Sequence, residues 1–130
     1  MSDPTPAVPA ATVTLLRDWH QAVSAKDVDR VLALCTPDVE LHGPSGTGSG
    51  HDLVRDWLAR SGIRLRLRSL TSWHGAFLAE QEATWPRGAL QPAAPATPAV
   101  ACVTVFAVRD GKVSSVARYA TVEEAESARV

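Results

Sequence analysis

No run of apolar residues in this chain reaches the length of about 20 that a bilayer-spanning helix needs, so a membrane helix is excluded. Charge of one sign is also missing. Thirteen Lys and Arg face fourteen Asp and Glu, a net charge of −1, which gives no footprint for nucleic acid or an anionic membrane surface. There are only two cysteines, Cys35 and Cys102, each inside an apolar run (VLALCTP and PAVACVTVF). They read as small buried hydrophobes, not as a disulfide framework. The four histidines, at 20, 42, 51 and 74, share no metal-site spacing with each other or with the cysteines, so no metal and no cofactor is expected.

Two further absences bear on function. The segment GPSGTG at 43–48 matches the start of a phosphate-binding loop, but Ser49 and Gly50 stand where Lys and Ser/Thr are needed. Without the lysine nothing neutralises phosphate charge, and the glycines are read as a sharp turn from strand to helix. The N-terminus, MSDPTPAVPAAT, has neither a basic n-region nor an apolar h-region, so a cytoplasmic location is expected.

At 130 residues, 45% apolar and 21% charged, the chain is read as one globular domain. Residues 1–10, with Pro4, Pro6 and Pro9, are expected to be a mobile tail before a single domain over 11–130. Thr12 is a candidate N-cap for a helix over 13–25, in which Leu15, Leu16, Trp19, Ala22 and Val23 share a face. Asp27 caps a second helix, with Val28, Val31, Leu32 and Cys35 on one side and Pro37 as its stop. A short strand over 39–42 follows. A third helix over 51–61 carries Leu53, Val54, Trp57 and Leu58 on one side and ends at Gly62.

The period then changes to two. Ile63, Leu65 and Leu67 alternate with Arg64, Arg66 and Arg68, and the stretch from Phe77 to Trp85 puts Glu80 and Glu82 on its polar side. A cross-strand ladder of these Arg and Glu residues is expected. Residues 86–99 hold four prolines and read as a long flexible connection. The strand over 100–108 is apolar on both faces, Arg109-Asp110-Gly111-Lys112 is a hairpin signal, and the strand returns over 113–120. Thr121-Val122-Glu123-Glu124 fits a capping box opening a C-terminal helix. Helices followed by a run of strands argue an α+β fold. The expected core is Leu15, Leu16, Trp19, Val23, Val31, Leu32, Leu53, Trp57 and Phe106.

Three segments, SAKDVDRVLAL, TPDVELHGPSGTGSG and VFAVRDGKVSSVARYA, occur in an order and spacing that resembles the nuclear-transport-factor-2-like superfamily. That superfamily includes ketosteroid isomerase and the SnoaL-like cyclases, and the resemblance covers about residues 12–121. It implies a cone-shaped curved mixed β-sheet wrapping three N-terminal helices around a central cavity, in a protein that is often a dimer.

The catalytic positions of these relatives carry different residues here. The oxyanion-hole tyrosine of ketosteroid isomerase falls on Trp19, its general base on Gly43, and its protonated aspartate on or near Thr104. Glycine can accept no proton, so no ketosteroid isomerisation is expected. The acid–base aspartate of the SnoaL-like cyclases falls on Arg118, whose guanidinium stays charged. The alternation around Arg118 leaves its face open. Inward, it would need an anionic ligand or an internal carboxylate.

The candidates for catalysis are His42, Glu82 and Arg118; those for a ligand pocket are Trp19, Leu41, Trp57, Thr104, Phe106 and Arg118. The expected activity is binding of a small, largely apolar molecule in the cavity. The alternatives are an enzyme of SnoaL-like type (isomerase, cyclase or hydrolase) with rearranged catalytic groups, and a dimeric association module with a filled cavity. A homodimer through the outer sheet face, including Val103 and Val105, is expected to cover the second apolar face of that strand.

Overall fold

A computed structural model describes residues 8–43, 46–84 and 100–128. The N-terminal tail as far as residue 7, the hook residues Pro44 and Ser45, and Trp85 with the proline-rich connection 86–99 lie outside the described residues. Ten elements follow in order: α1 Ala10–Ser24, α2 Val28–Ala33, β1 Cys35–Gly43, β2 Gly46–Ser49, α3 His51–Ser61, β3 Arg64–Trp73, β4 Ala76–Thr84, β5 Val100–Arg109, β6 Lys112–Tyr119 and α4 Val122–Ala128. The six strands form one mixed sheet in the order β2-β1-β6-β5-β4-β3, with β1 parallel to β6 and the other pairs antiparallel. This is the α+β cone expected from the sequence.

Helix α1 starts earlier than its polar signal suggests. Pro9 occupies the N-cap position without a side-chain cap bond, and Thr12 is buried inside the helix instead of capping it. Asp27 does cap α2, accepting from the backbone N–H of Arg30. That helix ends at Ala33, short of Pro37. Cys35 therefore lies not on the helical stripe but in β1, where it pairs with Val113. The strand runs through Pro37, and the β1–β6 register is irregular between Cys35 and Glu40, as expected of a residue with no N–H to give a ladder.

The glycine-rich hook turns back as β2, pairing His42 with Thr47 and Leu41 with Gly48. A Cβ at Gly48 would stand 2.6 Å from Leu53 Cδ2, so the tip of that leucine would have to turn aside for any larger residue. The β3 strand extends to Trp73, beyond the six residues its alternation marks. A register shift between Leu67 and Ser69 breaks the period, and the strand then resumes with Leu70 on the inner side. Its hairpin with β4 closes through His74 and Gly75, both at positive φ, as Asp110 and Gly111 close β5 to β6. Thr121 Oγ1 accepts from the N–H of Glu124 as expected of a cap, and the Glu124 carboxylate accepts in return from the N–H of Ala120, one residue before the cap.

Two apolar layers result. The inner face of the sheet packs on the helices through Leu16, Trp19, Val23, Val31, Val39, Val54, Leu58, Ile63, Phe106 and Val113. Of the expected core, Leu53 and Trp57 are only half-buried. The outer face holds a second cluster, in which Val122 and Ala125 of α4 pack with Leu78, Val103, Val105 and Tyr119. The apolar outer side of β5 is thus covered in part from within the chain.

Candidate functional site

The 3.6-residue period of α1 places Leu16, Trp19, His20 and Val23 toward the sheet, so an imidazole is carried into the interior with the core residues. His20 is 4% exposed, and both of its ring nitrogens are engaged. Nδ1 lies 2.6 Å from the carbonyl oxygen of Leu16, and Nε2 lies 2.7 Å from Nε2 of Gln81. A carbonyl can only accept and an amide nitrogen can only donate, so Nδ1 carries the proton and Nε2 is bare. The imidazole is neutral, and burial holds its pKa below the ordinary range, partly opposed by the Leu16 carbonyl.

Gln81 continues the relay. Its Oε1 accepts from Thr104 Oγ1 at 2.7 Å and lies 3.5 Å from Cys102 Sγ. The cross-strand register explains the convergence: Gln81 stands opposite Cys102, and Ala79 opposite Thr104, on the inner face of β4 and β5. Desolvation raises the pKa of Cys102, opposed by the nearby positive charge of Arg118, and the thiol stays protonated.

Beside the relay stands an aromatic wall. Trp19 stacks on Trp57 with ring centroids 6.2 Å apart and meets Phe106 edge-on at 5.0 Å. Its indole N–H has no hydrogen-bond partner within normal geometry and is directed toward the thiol of Cys35. Burial pushes that thiol up to about 11, an inert form at neutral pH. Trp19 and Phe106 are almost wholly buried, so the centre of the cone around them is occupied by side chains.

Open space lies to one side, between α1 and the edge strand β3. Here a cleft of about 760 Å³ has Leu65, Leu67 and Leu70 on one wall and Val13, Arg17 and His20 on the other. Its closed end is a clip: the hydroxyl of Ser24 donates to the carbonyl of Leu65 and accepts from the same residue's N–H, both at 3.0 Å. A second cleft, of about 610 Å³, lies where the head of α4 meets β4 and β5.

The structure brings together some of the residues singled out in the sequence. Trp19, Thr104 and Phe106 lie in the interior, and half-buried Trp57 and Leu41 pack against the same core. Leu41 is level with Val116, which stands opposite Phe106. Arg118 pairs opposite Thr104, which places it on the inner face, half-buried.

His42 and Glu82 are placed elsewhere, which corrects their grouping with Arg118. His42 contacts Glu40 Oε1 at 3.0 Å and Thr47 Oγ1 at 3.2 Å on the side of β1 away from Leu41. Glu82 is held outside by Arg68 at 2.6 Å and Arg66 at 3.8 Å, while Glu80 accepts from Ser69. The expected Arg–Glu ladder is therefore made by Arg66, Arg68 and Glu82.

The buried histidine is His20, which sequence reasoning passed over. Its signal was present: it stands four residues after Leu16 and beside Trp19, on the inward stripe. Among the described residues no group of three or more His, Cys, Asp and Glu could hold a metal ion, and no helix is long and apolar enough to cross a membrane.

The sequence matches the family described as SnoaL-like domain over residues 16–116. Among curated proteins, none matches. The fold is similar to that of a candidate polyketide cyclase from Xanthomonas campestris pv. campestris, at 23% identity over 88% of this chain and 93% of that one, TM-score 0.67. It is also similar to TerC co-crystallised with polyporic acid, at 17% identity over 91% and 97%, TM-score 0.71. A third similar structure is a hypothetical protein with a ketosteroid-isomerase-like fold from Catenulispora acidiphila, in complex with trimethylamine. There the identity is 17% over 87% of this chain and 86% of that one, TM-score 0.70. At these identities the likeness is one of fold.

Proposed function

The chain belongs to the SnoaL-like domain family, and we propose that it binds a small, largely apolar molecule in the cleft between α1 and β3. The observation that carries this reading is the division of the inner face. Trp19, Trp57 and Phe106 fill the centre, whereas Leu65, Leu67 and Leu70 line a cleft of about 760 Å³ beside it. That volume lies within the usual range for small-molecule sites, about 300–1,000 Å³, and Val13 with the three leucines gives the cleft an apolar side among polar neighbours. TerC and the Catenulispora protein, of the same fold, were crystallised with small molecules, which supports the same use of the fold here.

The test is native mass spectrometry of protein purified from its own host, compared with the variant Leu67→Trp, which fills the cleft. The wild type is expected to retain a small molecule that the variant loses. Retention unaffected by Leu67→Trp would move the site elsewhere.

A second reading, catalysis, is favoured by one observation: His20 is neutral and lines the cleft. If a substrate drew Gln81 away, the bare Nε2 would become a general base within the protein. The isomerase and cyclase routes of relatives have no counterpart residue at Gly43 or Arg118. Turnover in this reading depends on His20, and His20→Gln would abolish it.

A further inference from the structure

The described residues lining the α1–β3 cleft include three arginines, Arg17, Arg66 and Arg68, and no carboxylate. Arg66 and Arg68 turn to Glu82, outside the lining. Arg17 makes no ion pair with any described residue, although its helix neighbour Asp18 is taken by Arg30. An apolar wall with a cation that no described residue pairs selects for one kind of molecule.

We infer that the ligand of this cleft is an amphiphilic monoanion, a carboxylate on an acyl or aryl body, with the body against Leu65, Leu67 and Leu70 and the carboxylate at Arg17. The inference deepens the reading of the cleft as a small-molecule site and rests on it. The geometry suits an elongated body. Val13, Arg17, Gln21 and Ser24 form one stripe of α1, and the eleven residue-steps from 13 to 24 span about 16 Å. The five steps of β3 from Leu65 to Leu70 span about the same length. The Ser24–Leu65 clip closes one end, so the molecule lies along the cleft, not across it.

Arg17 is exposed, so its attraction is screened by salt and modest in size. It contributes preference, while the leucines contribute most of the affinity. A guanidinium gives a carboxylate two parallel donors, whereas an alcohol gains little from it and an ammonium is repelled.

The experiment is isothermal titration of the full chain with decanoate, decanol and decylammonium at low and high salt. It is repeated on Arg17→Ala, Arg17→Lys and Arg64→Ala; Arg64 is exposed on the same strand but outside the cleft lining. The expected order is decanoate, then decanol, then decylammonium. Arg17→Ala should weaken decanoate by about three- to fivefold at low salt and leave decanol unchanged, on the scale of an exposed ion pair. Arg17→Lys should keep most of the preference, Arg64→Ala all of it, and added salt should erode it. Equal binding of the three molecules, or a decanoate preference that survives Arg17→Ala, would overturn the anion assignment and leave the apolar cleft standing. Failure of all three to bind would remove both.

Discussion

Gln81 of β4 donates its side-chain amide to Nε2 of His20 on α1 across 2.7 Å, in a part of the molecule from which solvent is excluded. The bond joins helix to sheet and fixes the imidazole in one tautomer. With Thr104 and Leu16 supplying the remaining partners, the relay is satisfied without water. An unpaired member of such a set costs about 1–3 kcal/mol, so the relay specifies how α1 seats on the sheet.

The first prediction is a pH dependence. An unfolded histidine titrates near pH ~6.5, while burial keeps the pKa of His20 lower in the native state. Above both values the residue is neutral in both states and contributes nothing pH-dependent. As pH falls below about 6.5, the unfolded chain takes up a proton that the native chain refuses, so stability is lost at up to about 1.4 kcal/mol per pH unit until the native pKa is reached. Urea midpoints at neutral and mildly acidic pH should therefore diverge. The divergence should shrink in His20→Phe, which lacks the titrating group but retains His42, His51 and His74. An equal acid loss in the variant would rule out His20 as its source.

The second prediction separates the two stacked tryptophans. Trp19 is buried and meets both Trp57 and Phe106, whereas Trp57 keeps one side toward solvent. Trp19→Ala should cost about 3–5 kcal/mol, the range of a fully buried aromatic. Trp57→Ala should cost less, about 1–3 kcal/mol, because less of its surface is removed from water. Chemical denaturation of both variants checks the order, and a reversed order would mean that α3 sits differently on α1.

Much of this architecture was legible in the sequence because single local signals decide it. Asp27 caps α2, Gly62 ends α3 in the left-handed region, and Asp110-Gly111 closes a hairpin, each through backbone conformations that few residues adopt. Three features escaped for physical reasons. The bulge after Leu67 puts Arg68 and Ser69 in succession, which breaks the period of two and hides the second half of β3. Pro37 reads as a helix stop, yet a strand can carry it where the ladder is already interrupted. The relay is harder still. His20, Gln81, Cys102 and Thr104 come from three elements, and only the register of β4 on β5 and the seating of α1 bring them together. Arg118 shows the same limit, since its face follows from its pairing with Thr104 and not from its neighbours in the chain.

The last prediction concerns a second copy of the chain. The sequence motive for a homodimer was an apolar outer face on β5 with nothing to cover it. Helix α4 supplies part of that cover, with Val122 and Ala125 packed near Leu78 and Val103, which are about 5% exposed. Beyond the helix, Ala101 is exposed, and Val105 and Tyr119 are half-buried on the same outer side. A dimer in this proposal is formed by that remaining strip and not by the whole strand. Sedimentation at micromolar concentration should show a dimer that Val105→Asp converts to monomer without loss of fold, because Val105 faces outward with Val103 and is only half-buried within the chain. A wild-type monomer would mean that α4 alone completes the outer face, and the proposed interface would then be lost with its only physical motive.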